Sequence, residues 1–131
     1  MEPVADEVVL VERVAGIDIG KAEVVVCVRV PDPGGRPSRG QEVRTFSTLT
    51  SGLQECADWL REWGVTRVVM ESTGDYWKAP FWLLEAAGFE TWLVNARDVK
   101  HLPGRAKTDK IDAVWLCKLA ERGMLRASFV P

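Results

Sequence analysis

Histidine occurs once in the 131 residues, at position 101, and cysteine three times, at Cys27, Cys56 and Cys117. A lone imidazole argues against a Ser-His-Asp site or a histidine-rich zinc site within this chain. The cysteines are odd in number and widely separated. They fit neither a disulfide framework nor a zinc spacing, and read as small buried hydrophobes in a reducing cytoplasm. No apolar run approaches the length of a membrane span, and the opening Met-Glu-Pro-Val-Ala-Asp-Glu lacks the basic region of a secretory signal. The expectation is a cytoplasmic protein with no membrane partner. Net charge is −2, and the pI near 5.5 is not the footprint of a strongly DNA-binding domain. Internal repeats and low-complexity segments are absent as well.

What is present, 47% hydrophobic and 27% charged residues, is the composition of one ordinary globular domain with a single core. Charge is unevenly spread. Near the start Glu2, Asp6, Glu7 and Glu12 face only Arg13, whereas from Arg97 to Lys110 five cationic residues face only Asp98 and Asp109. Contact with a polyanion should be local and centred on that second stretch, although a solvated face explains the charge equally well.

Residues 1–12 read as a flexible leader and 13–131 as one domain. Val14–Ile19 and Glu23–Val30 are rich in Val and Ile and predict a hairpin. The Pro- and Gly-dense stretch 31–40 predicts a loop, and Glu42–Ser47 an edge-like third strand. Thr50 or Ser51 is expected to cap a helix carrying Leu53, Cys56, Ala57, Trp59, Leu60 and Trp63, stopped by Gly64. Thr66–Met70 predicts a buried strand parallel to the first. A helix with Phe81, Leu84 and Ala87 at helical spacing ends at Gly88, and Phe89–Val94 predicts a fifth strand. After a loop over 95–107, Thr108 is expected to cap a last helix to about Arg122. The order β-β-β-α-β-α-β-α predicts an α/β domain in which three antiparallel strands lead into parallel ones, flanked by helices.

Four acidic residues then acquire meaning: Asp18 in Gly-Ile-Asp-Ile-Gly-Lys (16–21), Glu71 in Met-Glu-Ser-Thr-Gly (70–74), and Asp109 and Asp112 in Lys-Thr-Asp-Lys-Ile-Asp-Ala (107–113). The first two stand at or near the ends of apolar strands, where ligands commonly bind. The last two share one face of a predicted helix. Four carboxylates brought together would repel one another unless cations neutralised them, and hard divalent ions prefer such oxygen donors. Each motif also has a plain structural reading: an exposed strand-turn Asp at 18, and acids favouring a helix N-terminus at 71, 109 and 112. Arg105, Lys107 and Lys110 around the last pair tilt the balance toward a metal site that meets phosphate. The six tryptophans read as packing residues, with Trp77 the one candidate for base stacking.

With these motifs assembled, the chain resembles the DEDD transposases of bacterial insertion sequences, the insertion sequence one-ten group, to which Piv-type DNA invertases are related. The resemblance covers about residues 14–131. It rests on the motifs at 16–21 and 70–77, Leu-Val-Asn-Ala-Arg-Asp-Val-Lys (93–100) and Pro-Gly-Arg-Ala-Lys-Thr-Asp-Lys-Ile-Asp-Ala (103–113). It implies a RuvC-like, RNase H-like fold and a tetrad of Asp18, Glu71, Asp109 and Asp112 binding Mg²⁺ or Mn²⁺ for cleavage and transfer of DNA strands. DNA, a structured guide RNA encoded by the element, and further copies in a homo-oligomer are the partners it implies. Members of the family continue into a helical segment and a second domain with a catalytic serine. This chain contains neither, so it is expected to be an isolated N-terminal domain, incomplete for the full reaction.

Two divalent ions among the four carboxylates would serve the nucleophile and the leaving oxygen at a scissile phosphate. Lys21, Lys100, Arg105, Lys107 and Lys110 would offset phosphate charge, and Thr73, with Ser72 and Gly74, would approach the nucleic acid closely. Two other readings stay open. A module that only binds nucleic acid or self-associates needs no metal. An actin-like ATPase would need a second phosphate-binding Asp-Gly turn and an adenosine motif, and neither is found in the sequence.

Overall fold

Runs of valine build the centre of the molecule. Val14–Ile19 (β1) and Glu23–Val30 (β2) pair antiparallel, with Gly16 opposite Cys27 and Asp18 opposite Val25. Gly40–Ser47 (β3) pairs antiparallel with β2 along its full length. It starts two residues before the expected Glu42, because β2 stays extended to Val30 and holds Gly40 in the ladder. The computed structural model describes residues 11–32, 34–72, 74–95 and 113–128. Within them follow Thr50–Glu62 (α1), Arg67–Ser72 (β4), Lys78–Ala86 (α2), Glu90–Asn95 (β5) and Ala113–Glu121 (α3). β4 lies parallel beside β1 and β5 parallel beside β4, giving the sheet order β3-β2-β1-β4-β5. This is the expected mixed sheet.

Side chains alternate between its two faces. Ile17, Val24, Val26, Val28, Val68 and Met70 pack against α1 and α2 through residues such as Leu53, Leu60, Phe81 and Leu84. Val14, Cys27, Val69 and Val94 turn the other way, onto Ala113, Leu116, Cys117 and Ala120 of α3. The inner strands are covered on both sides and therefore read as continuous apolar runs. A fully buried leucine such as Leu60 or Leu84 contributes about 1.5–3 kcal/mol, so burial of one face holds each short helix in place.

The helix starts and ends follow local chemistry. α1 begins one residue earlier than a Thr50 cap requires and two earlier than a Ser51 cap: Leu49 is its N-cap and makes no side-chain cap bond. Instead Thr48 is tied to the β1–β2 turn, its N–H donating to Ala22 O and its hydroxyl to Lys21 O, while Leu49 N–H donates to Ser47 Oγ. In α2, Pro80 occupies the first turn, where its missing N–H is harmless. The three helices among the described residues close in the same way. Val65, Phe89 and Met124 donate to Leu60, Leu84 and Leu119, and Gly64, Gly88 and Gly123 adopt positive φ in between. The expected Thr108 cap lies outside the described residues.

Cys27, Cys56 and Cys117 are buried and form no disulfide, as expected. Trp77 is also buried, packed edge-on against Phe81 with ring centroids 5.7 Å apart, which makes it a core residue rather than a stacking platform. Trp82, by contrast, is exposed. At the far end of α3, Glu121 is the one buried charged residue among those described. It accepts from Arg29 Nε at 3.2 Å and from Arg39 Nε, and so pins the helix to β2 and to the loop before β3.

Candidate functional site

β1 and β4 lie next to each other at the middle of the sheet, and their register decides what meets there. Ile17 is opposite Met70. Asp18 and Glu71 are the next residue on each strand, so continuing that register makes them neighbours at the C-terminal ends of parallel strands. Ile17 and Met70 belong to the core under α1 and α2. By alternation Asp18 and Glu71 face the opposite side, the side covered by α3. Both are half-buried. Their row continues with Val25 beyond Asp18 and Val94 beyond Glu71. Like charges in neighbouring strand positions cost free energy unless something positive stands between them.

α3 crosses this face close to β1. A Cβ placed on Gly16 would lie 2.6 Å from Cys117 N and 2.7 Å from Ala113 O, so only glycine lets the helix backbone approach so closely. The other end of α3, at Glu121, lies by Arg29, which pairs with Val14 at the start of β1. The helix therefore runs against the direction of β1, and its N-terminal end lies toward Asp18 and Glu71. In the chain Asp112 directly precedes Ala113. Asp109 and Asp112 themselves lie outside the described residues, as do Thr73, Lys100, Arg105, Lys107 and Lys110. Among the described residues no group of three or more His, Cys, Asp or Glu is arranged to hold a metal ion. Of the four sequence-predicted carboxylates, the described residues include Asp18 and Glu71, one residue beyond the Ile17–Met70 pair on adjacent strands.

Lys21 sits exposed in the turn after β1, at the same end of the sheet as Asp18. Its backbone carbonyl accepts from Thr48 Oγ1 at 2.9 Å, and Gly20 N–H donates to Glu23 O at 2.9 Å, so the turn that carries it is fixed at both sides. Sequence reasoning gave no role to Asn95, which is opposite Ser72 in register and is exposed at the same sheet end. The groove between α1 and α2, lined by Gln54, Ala57, Arg61 and Leu83, lies on the other face of the sheet, away from the carboxylates. No helix among the described residues is long and apolar enough to cross a membrane.

The model of the IS110 group of DEDD transposases, described as transposase, matches residues 15–131. The chain belongs to that family. No curated protein matches it. Among solved structures, this transposase chain is similar to Thermus thermophilus RuvC, with a TM-score of 0.58 and 14% identity over 88% of this chain and 99% of that one. It is similar also to T. thermophilus RuvC in complex with Holliday junction substrate, with a TM-score of 0.55 and 14% identity over 89% and 99%. At such identity the likeness speaks for the fold alone. The transposase domain is an α/β domain, as the strand order implied, and of the RNase H-like, RuvC-like kind, as the family resemblance implied.

Proposed function

We propose that this chain carries the carboxylate site of a DNA transposase, in which Asp18, Glu71, Asp109 and Asp112 hold Mg²⁺ or Mn²⁺ for cleavage and transfer of DNA strands. The observation that supports the reading is the register that sets Ile17 against Met70 on the α1 side, from which Asp18 and Glu71 follow as neighbours on the opposite face of adjacent parallel strands. Their donor chemistry fits the ion: both offer hard carboxylate oxygens, and their mutual repulsion is relieved by a cation. Family membership supports the assignment of a transposase. The RuvC structure bound to Holliday junction substrate supports DNA as the partner of this fold.

A divalent ion supplies charge neutralisation at a phosphate and activation of a nucleophile. The chain's own part is to hold the acids still. Asp18 and Glu71 project from central strands buried on both faces, so their positions are set by the sheet rather than by a loop. Lys21 offsets phosphate charge from the turn beside them. Thr73, Lys100, Arg105, Lys107 and Lys110 contact the sugar-phosphate backbone, which positions the nucleic acid without reading its sequence. A structured guide RNA from the element and further copies of the chain complete the proposed assembly.

The test is nicking of a four-way junction and of linear duplex DNA in Mn²⁺, with Asp18→Asn and Asp109→Asn alongside wild type. Each variant should lower the rate on the order of 100-fold while its circular dichroism stays unchanged. Full activity in both variants, or cleavage that survives EDTA, would overturn the assignment. DNA binding that persists in EDTA with no cleavage in Mn²⁺ would favour a binding module instead.

A further inference from the structure

The two edges of the sheet are treated differently. At β5, Ser128 N–H donates to Leu93 O at 2.6 Å, so a later segment of the chain touches that edge. Among the described residues no strand lies beyond β3. Gln41, Glu42, Val43, Arg44 and Thr45 are all exposed, Val43 by 44%. Natural edge strands are usually blunted by proline, charged side chains (lysine above all), a bulge or short length. β3 has eight residues in unbroken register with β2 and contains neither proline nor lysine, and its two charges, Glu42 and Arg44, are of opposite sign and so can complement those of a second strand.

The ladder also tells which backbone groups point outward. Gly20 N–H donates to Glu23 O, and Thr48 N–H to Ala22 O. Continuing the antiparallel alternation, odd residues of β2 bond to β1 and even ones to β3, so the even residues of β3 face β2. The N–H and C=O groups of Gln41, Val43 and Thr45 are therefore directed away from the sheet. We propose that this edge of β3 is a self-complementary docking strand that joins two copies of the chain into one continuous sheet.

The sequence of the strand sets the pairing. An antiparallel copy centred on Val43 places Val43 against Val43, Glu42 against Arg44 and Gln41 against Thr45, each heteropair occurring twice. The central pair and its 41–45 neighbours are those whose backbone groups point outward, so the hydrogen bonds and the symmetry share one register. Glu42 and Arg44 both lie on the α1 side, since their β2 partners Val28 and Val26 belong to that core. The two opposite-charge pairs therefore form on one face, and the Arg44 guanidinium is steadied by stacking over Phe46 at 5.3 Å. Such an interface is isologous and closes on itself as a dimer. It would set the two Asp18–Glu71 rows on the same face of the joined sheet, at opposite ends. The inference does not depend on the metal-site reading.

The experiment is the solution mass of the full chain by sedimentation equilibrium, for wild type, Glu42→Arg, Arg44→Glu and the double exchange. Wild type should weigh twice the 14.6 kDa of the chain. Each single reversal sets like charges opposite and should weaken the dimer about tenfold or more. An equimolar mixture of the two single variants should form a heterodimer, and the double exchange should restore the homodimer. A wild-type chain that stays monomeric would overturn the proposal. So would a dimer that neither reversal weakens, or two folded single variants that fail to combine.

Discussion

Replacing Gly16 with alanine tests the way α3 is seated over the carboxylate strands. The added methyl would lie 2.6 Å from Cys117 N, 2.7 Å from Ala113 O and 2.9 Å from Cys117 Cα. Carbon atoms pack best at about 3.5–4.0 Å, so the helix would have to lift by roughly 1 Å. All three neighbours are backbone atoms of α3, and none can rotate away as a side chain would. Overpacking of this kind costs about 1–3 kcal/mol. For a chain of 131 residues, with unfolding entropy near 2.1 cal/mol/K per residue, that corresponds to a fall in Tm of roughly 4–11 °C. Differential scanning calorimetry reads it directly. Because the obstruction is backbone, Cys117→Ala in the same chain should bring no rescue. A single variant that melts within about 1 °C of wild type, or a double variant that recovers, would refute the reasoning.

Other outcomes follow from the same packing. Glu121→Ala leaves Arg29 and Arg39 half-buried without their shared carboxylate and should cost about 3 kcal/mol in urea denaturation; a loss below about 1 kcal/mol would mean the cluster does not anchor α3. Burial pushes the Cys56 thiol up to about 12 from an ordinary value of 9.0. Its folded form stays protonated where the unfolded chain ionises, so its contribution is complete below pH 9 and is lost as pH rises toward 12. Cys56→Ala should flatten the fall of stability between pH 9 and 11 by up to about 1.4 kcal/mol per pH unit; an unchanged slope would contradict the burial argument.

Much of the fold was legible because the strands are apolar on both faces. Val14–Ile19, Glu23–Val30 and the valines after Arg67 announce themselves as buried runs, and their order already implies antiparallel strands followed by parallel ones. The pairing of Asp18 with Glu71 was only half legible. Each acid could be placed near a strand end, but their adjacency needed β4 to enter beside β1 in the register that sets Ile17 against Met70. The start of α1 was missed because Thr50 and Ser51 look like caps, whereas Ser47 and Thr48 make the local bonds. Glu121 gave no signal: an acid next to Arg122 at a helix end reads as solvated, and only Arg29 and Arg39, far away in sequence, make it buried. The closeness of Gly16 to α3 was likewise hidden, since it depends on where a helix almost a hundred residues later comes to rest.

The central claim is that Asp18 and Glu71 belong to one divalent-metal site. The most direct measurement is thermal unfolding of wild type, Asp18→Asn, Glu71→Gln and Asp109→Asn, titrated with Mn²⁺ and with Mg²⁺. At about 100 times its dissociation constant, a bound ion stabilises the fold by about 2.7 kcal/mol, or roughly 10 °C for a chain of this length. Wild type should show that rise, and each variant should lose most of it. A wild-type chain that does not respond to either metal, or variants that respond as wild type does, would contradict the account.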